Sequence, residues 1–387
     1  MRIICTGLIG QYPFGGVTWD YLQYVLGFRA LGHDVWYLED TGAWAYDPLA
    51  QQPSDDCSNN VAYLRRIMEA FDLGDRWIYR NGADGRYHGI DDPDLAEKTI
   101  SGADVLANVS GACWLRETTA SIRTKLFLDG DPMFTHIGMA TDRSTADRIR
   151  SHDVHYSFGL NIGQPDCAVP ACGLRWIPTV QPIVLHYWDG PGIDPSPLVR
   201  DAWATVMNWS SYAAKEFQGE SYGQKDVEFM RFLDLPRLTG DKFVLAVGQG
   251  PGRKRPTEQL LGHGWQIIEP DEALPDHTSY RNFLAGAKGE WSIAKNGYVK
   301  SRSGWFSCRS ACYLALGKPV VVQDTGWSKH LPSGQGVLGF TTVDEAVDQI
   351  RAVASDYDRH ARAARAYACE YFEAEKVLSS LLESAGV

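Results

Sequence analysis

Short apolar runs that suit β-strands alternate with stretches of helical spacing along almost the whole chain, and this alternation constrains the fold most. Residues 3–6 form the first run, followed by a turn rich in glycine (Gly7, Gly10, Gly15, Gly16). Leu22, Val25, Leu26 and Phe28 then mark a helix over 18–31, closed by Gly32 where a left-handed cap belongs. Residues 35–38 supply the next strand. Strand, turn, helix and strand in that order form the unit of a parallel α/β sheet. Further strands are predicted at 104–109, 125–128 and 154–158, with helices at 61–73 and 146–151. The run 176–185 contains Pro178 and Pro182 and so suits only an edge.

The segment 189–197, DGPGIDPSP, carries three prolines and two glycines and reads as a linker. A second alternating series follows, with strands at 204–207, 243–247, 265–268, 291–294 and 319–323. Helices fall at 280–285 and 306–316, and from Val343 onward the pattern is almost entirely helical. With 387 residues the chain is long enough for two cores. The expected organisation is α/β, with two Rossmann-like domains facing across a cleft. These are an N-terminal domain over 1–188, a linker over 189–200, a nucleotide-binding domain over 201–365 and a C-terminal helix over 366–387 reaching back. Ligands of such open sheets collect at the carboxyl ends of the strands.

A net charge of −11 argues against nucleic acid, which needs a cationic face, without forbidding a local basic groove. No run of five Lys or Arg and no apolar stretch of about 18 residues suggests a membrane anchor. The first ten residues read as a strand rather than a signal peptide, and a cytoplasmic location is expected. The eight cysteines include no CxxC pair, so reduced thiols are expected and no metal site.

Three segments carry chemistry. The first is the loop after the first strand, GLIGQYPFGGVTW, whose Gly10, Phe14, Gly15 and Gly16 could approach a ligand ahead of a helix N-terminus. Glu39 or Asp40 could then bind a ribose, although the spacing is not G-x-G-x-x-G and a plain tight turn explains the glycines equally. The second is 243–255, where a strand runs into Gly248, Gly250 and Gly252 and then Arg253, Lys254 and Arg255. It suits a diphosphate or a solvated basic turn. The third and most specific is 294–327. Lys295, Lys300, Arg302 and Arg309 interleave there with Ser301, Ser303, Ser307 and Ser310 ahead of and within the predicted helix. Cations and hydroxyls in that position suit phosphate oxygens; a serine capping the helix is the plainer reading. Asp324, Thr325 and Gly326 form the turn beyond the next strand, where Asp324 could face sugar hydroxyls or hold the turn.

The run YLALGKPVVVQDTGW, followed by LPSGQGVLGF and a helix opening on Val343-Asp344-Glu345-Ala346, resembles the donor half of GT-B glycosyltransferases. The N-terminal GGVTWDYLQYVLGFRALGHDVWYLED is similar to the opening unit of the same family. Together they cover about half of the chain; residues 46–235 match nothing recognisable. The resemblance implies transfer of a hexose-like sugar from a nucleotide diphosphate sugar, a UDP-sugar first, to an acceptor hydroxyl, without a metal or other cofactor. On it, Lys295, Arg302 and Arg309 neutralise the diphosphate, helped by Ser301 or Ser303, with Gly250, Arg253 and Lys254 also at the donor. Asp324, Thr325 and Gly326 face the sugar, and Gly10, Phe14, Gly15 and Gly16 face the acceptor. Asp131 or Asp129 would be the general base, ahead of His136 and Asp20. The glutamate pair of the largest retaining group is missing, because Gly304 and Cys312 occupy its two places. A sugar-nucleotide epimerase on the same fold, a glycosyltransferase of modified DNA bases, a nicotinamide enzyme and an inactive binding protein remain as alternatives.

Overall fold

The computed structural model describes residues 1–48, 50–250 and 253–387; Gly252 of the second segment lies outside them. Two large sheets form beside two small hairpins, and the chain enters the second large sheet only after leaving the first. The first contains β1 (Arg2–Thr6), β2 (Asp34–Glu39), β3 (Trp77–Arg80), β4 (Tyr87–His88), β5 (Val105–Val109), β6 (Thr124–Asp129), β7 (Val154–Ser157) and β8 (Trp176–Pro178). Their order across the sheet is β8-β7-β6-β5-β1-β2-β3-β4, parallel except for the edge strand β4. The second contains β9 (Ala202–Asn208), β10 (Lys242–Gly248), β11 (Trp265–Ile268), β12 (Gly289–Ser292), β13 (Val320–Gln323) and β14 (Val337–Phe340). It is wholly parallel in the order β11-β10-β9-β12-β13-β14. In both sheets the first strand stands beside the point where the order reverses, which is where open α/β sheets bind ligands.

The strand predicted at 291–294 begins two residues earlier. Gly289 admits this because a Cβ there would meet the Pro319 carbonyl and the Trp203 ring at 2.5 and 2.7 Å. Segment 189–196 contains no helix or strand.

The helices that shape the cleft are α1 (Gly15–Ala30), α2 (Phe134–Thr141), α3 (Lys225–Phe229), α4 (His277–Gly286), α5 (Asn296–Ser301) and α6 (Cys308–Ala315). Three more close the chain: α7 (Val343–Ser355), α8 (Tyr357–Tyr371) and α9 (Ala374–Ala385). Helix α7 starts on a capping box, Thr342 and Glu345 each satisfying the other's backbone N–H. Between α8 and α9 the chain breaks because Ile183, from the first lobe's side, bonds the Phe372 carbonyl at 2.6 Å and the Ala374 N–H at 2.9 Å. Helix α9 then lies on α1, where Gly27 leaves room for Leu378, and Tyr156 donates to the Leu381 carbonyl at 2.7 Å.

The lobes share an apolar core. Trp19 of α1 packs on Trp188 at 4.8 Å between ring centroids and donates its indole N–H to the His277 carbonyl of the second lobe. Burying an aromatic side chain of this size contributes roughly 1.5–3 kcal/mol, so contacts of this kind hold the lobes against each other. Among the described residues no helix is long and apolar enough to cross a membrane. All eight cysteines are free thiols.

Candidate functional site

A cavity of about 320 Å³ opens between the lobes at the carboxyl ends of both sheets. The first lobe contributes Asp20, Tyr21 and Tyr24 from α1, Ser110 after β5, Asp129, Gly130 and Asp131 after β6, and Gln181. The second contributes Lys225 at the start of α3, Lys295 and Tyr298 around α5, and Trp305, Ser307, Cys308 and Arg309 at the entry to α6. Most reach the cavity from a loop or helix start that follows a strand at the edge facing the other lobe, while Asp20, Tyr21 and Tyr24 do so from the body of α1.

Three cations converge there. Arg309 is nearly buried; its Nε donates to the Glu290 carboxylate at 2.6 Å and its Nη1 to the Val206 carbonyl at 2.6 Å. Its Nη2 has no partner among the described residues. Burial works against the guanidinium's charge, but the buried Glu290 beside it overcomes this and raises its pKa further. Lys295 donates to Asp131 at 2.8 Å across the cleft and to the Tyr212 hydroxyl at 2.8 Å. Lys225 makes no hydrogen bond or ion pair among the described residues. Burial pushes its pKa well below the ordinary lysine value, and the charges of Arg309 and Lys295 push the same way. A partly buried ammonium with no acid paired to it among the described residues and two other cations near it is costly unless an anion joins it.

The acids face these cations. Asp131 accepts from Lys295, from Tyr212 at 2.5 Å and from Tyr298. Asp129 is buried and committed, with Ser157 donating to it at 2.7 Å, the Asp131 N–H at 3.0 Å and His136 Nε2 in contact at 3.3 Å. Burial would raise its pKa, yet the bonds from His136, Thr135 and Ser157 outweigh burial and lower it. Asp20 is pushed up to about 6 by burial, against the opposing pull of the Cys308 thiol and Arg309. The Tyr24 hydroxyl is buried beside the same cavity, without a partner among the described residues.

Other residues named from the sequence stand elsewhere. Arg302 is half exposed at the left-handed end of α5 and bonds Asp166 of the first lobe at 2.7 Å, where Lys329 joins at 2.5 Å. The Ser301 and Ser303 hydroxyls are buried and bonded to backbone carbonyls of α5. Asp324 accepts from the N–H of Gly326 at 2.8 Å and the hydroxyl of Ser328 at 2.7 Å, closing its own turn, while Thr325 donates to the Trp305 carbonyl. Gly250 lies against the Ser210 carbonyl, so a Cβ would meet it at 2.3 Å. Arg253 stands 3.5 Å from the Ser210 hydroxyl, Lys254 is exposed, and Arg255 is held by Glu269.

The first glycine loop holds no open anion site. Glu39 fills it, accepting the N–H groups of Gly10 at 2.8 Å and Gln11 at 3.1 Å and the Tyr37 hydroxyl at 2.5 Å. Asp40 pairs with Arg116 at 2.5 Å. Neither acid is left for a ribose, which removes the structural basis of the nicotinamide alternative. Gly15 and Gly16 press on α4, where Cβ atoms would meet the Asp276 carbonyl at 2.1 Å and the Tyr280 ring at 3.1 Å. Phe14 packs near Tyr46, with ring centroids 5.8 Å apart.

The missing glutamate pair also has a local reason. Gly304, at the first of its places, lies under Leu160 and Asn161, and a Cβ would meet the Asn161 nitrogen at 2.4 Å. The first lobe's loop pairs with this segment, Asn161 N–H bonding the Ser303 carbonyl at 3.1 Å and Ala168 N–H the Ser301 carbonyl at 2.8 Å. Lys225 was missed, because it sits in the stretch that resembles nothing. The one signal was a lysine opening a helix, the end at which a positive charge is unfavourable.

Two doubly wound sheets with a C-terminal helix crossing back, enclosing a cationic cleft, form a known architecture. The fold is GT-B. Anabaena HepE, solved with UDP and glucose, superposes with a TM-score of 0.59 at 12% identity, covering 100% of this chain and 99% of that one. An α-glucosyltransferase solved with UDP-glucose and DNA containing an abasic site gives 0.57 at 12% identity, covering both chains fully (100% and 100%). AviGT4, a glycosyltransferase involved in avilamycin A biosynthesis, gives 0.52 at 12% identity, covering 100% and 97%. No family model matches the sequence. No curated protein matches it either.

Proposed function

We propose that the protein is a glycosyltransferase that moves a sugar from a nucleotide diphosphate sugar to an acceptor hydroxyl. The observation that carries this reading is the set of Lys225, Lys295 and Arg309 in the interlobe cavity, with one ammonium unpaired and one guanidinium nitrogen unpartnered among the described residues. A leaving diphosphate brings two or more negative charges, and cations fixed in a closed cleft stabilise that charge as it develops. The side chains supply the countercharge, so no metal is needed for it. Neighbours of the same fold were solved with UDP or UDP-glucose, which makes a UDP-sugar the first donor to test.

Lys295 is held by Asp131. A donor phosphate competes for Lys295 and releases the Asp131 carboxylate toward an acceptor hydroxyl, the general-base role proposed for it. Asp129, whose oxygens are occupied, positions Asp131 by accepting its backbone N–H. Arg302, Ser301 and Ser303 hold the second lobe's loop rather than the diphosphate, and Asp324, Thr325 and Gly326 shape the turn beside them.

Calorimetric titration with UDP and UDP-glucose is the test. Wild type should bind, Lys225→Ala and Lys295→Ala should bind at least about tenfold more weakly, and EDTA should leave release of UDP unchanged. Unaltered affinity in both variants would overturn the assignment. Turnover of the donor with no acceptor, giving an isomeric sugar nucleotide, would favour the epimerase.

A further inference from the structure

Of the thirteen tryptophans, only Trp44 and Trp114 are exposed, at 52% and 50%. Tyr12 joins them at 39%. They come from three different loops, and those loops leave three adjacent strands. Tyr12 follows β1, Trp44 follows β2 and Trp114 follows β5, the neighbours β5-β1-β2 in the first sheet. All three therefore stand on the carboxyl edge that faces the second lobe. The loops are tied together. Trp114 lies close over Gly42, where a Cβ would be 3.2 Å from its ring, and its N–H bonds the Asp40 carbonyl at 2.9 Å. The Trp44 carbonyl accepts from Gln11, the residue before Tyr12, at 2.5 Å. Tyr12 in turn stands 5.8 Å from the Tyr46 ring.

This rim is continuous with the cavity. Ser110 lines the cavity in a left-handed conformation, φ 57°, and Trp114 follows four residues later on the same loop. Exposed rings on backbone braced by hydrogen bonds cost solvation without contributing to the core, unless a flat apolar surface covers them.

We propose that Tyr12, Trp44 and Trp114 form an acceptor subsite that takes a carbohydrate, stacking the C–H face of a sugar ring while its reacting hydroxyl points toward Asp131. The proposal rests on the glycosyltransferase reading and names the class of acceptor. A nucleic acid is the competing aromatic-binding ligand, since bases stack on such rings too. The cations near the rings do not form the row that it needs. Asp40 neutralises Arg116 at 2.5 Å and has Arg80 at 3.8 Å, and Arg148 is the cation that lies over Trp114, at 5.4 Å. A backbone of phosphates needs a row of free cations.

Saturation-transfer NMR on the full chain, with maltose, cellobiose and oligothymidine as separate probes, tests this, with UDP affinity measured in parallel. Wild type should transfer saturation to the ring protons of at least one disaccharide. Trp44→Ala and Trp114→Ala should each weaken that binding about tenfold, leaving UDP affinity unchanged because both rings lie outside the cavity, and the chain folded because both are half exposed. No transfer to either disaccharide, transfer undiminished in the double variant, or a stronger tryptophan-dependent signal from oligothymidine overturns the carbohydrate assignment. Saccharide binding by a wild type that does not bind UDP would strike the donor reading alone.

Discussion

The loop after β1 and the entry to α6 are both places where a strand's carboxyl end meets a helix N-terminus, yet they end in opposite electrostatic states. In the first, Glu39 of the neighbouring strand supplies the anion, and the N–H groups of Gly10 and Gln11 are satisfied inside the protein. In the second, Glu290 takes only one edge of Arg309, and Lys225 has no hydrogen-bond or ion-pair partner among the described residues. A loop that looks like an anion site is one only where the chain has not already filled it.

The sharpest way to break this comparison is Arg309→Ala. It leaves the fully buried Glu290 carboxylate uncompensated, and a loss of about 3–5 kcal/mol in denaturant unfolding is expected. Glu290→Gln added to Arg309→Ala should recover part of it. If the single variant is as stable as wild type, the ion pair does not organise the cleft.

Glu39 gives the next effect. Burial raises its pKa to about 7, against the Tyr37 hydroxyl and the N–H donors that lower it. A carboxyl raised on folding contributes stability that is complete below the unfolded value near 4.5 and is lost as pH climbs toward 7. The loss is on the order of 3 kcal/mol. Glu39→Gln should flatten the stability profile over that window while leaving UDP affinity unchanged. An unaltered slope would mean that the first loop is not closed by this carboxylate.

Lys225→Ala separates binding from folding. Nucleotide affinity should fall by roughly 10- to 100-fold, the worth of a charge-assisted contact, while the ligand-free protein is no less stable. A drop in Tm with unchanged affinity would make the residue structural. Smallest is Arg302→Ala. Its pair with Asp166 is partly exposed, so less than about 1 kcal/mol of stability should be lost, with no change in nucleotide affinity.

Much of this was legible from pattern. Strand and helix periods are local, and so the predicted runs at 104–109, 125–128, 243–247 and 319–323 correspond to β5, β6, β10 and β13 within a residue or two. Strands β3 and β14 and helices α2 and α5 were not recognised, since short elements with mixed burial give weak periodicity. The two ends of the chain carried the GT-B resemblance, and the superposition extends it to the unrecognised middle.

The sequence by itself determined the α/β alternation, the break near residues 189–197 and the cationic character of the stretch before α6. Those properties depend on neighbours along the chain. Which cations face the cleft was decided only by tertiary structure. Lys295 and Arg309 point into it, Lys225 arrives from 70 residues upstream of Lys295, and Arg302, seven residues beyond Lys295, turns outward to Asp166. A side chain's charge is written in the sequence, but its partner is set by where distant segments pack, and the partner decides whether that charge remains available to a ligand.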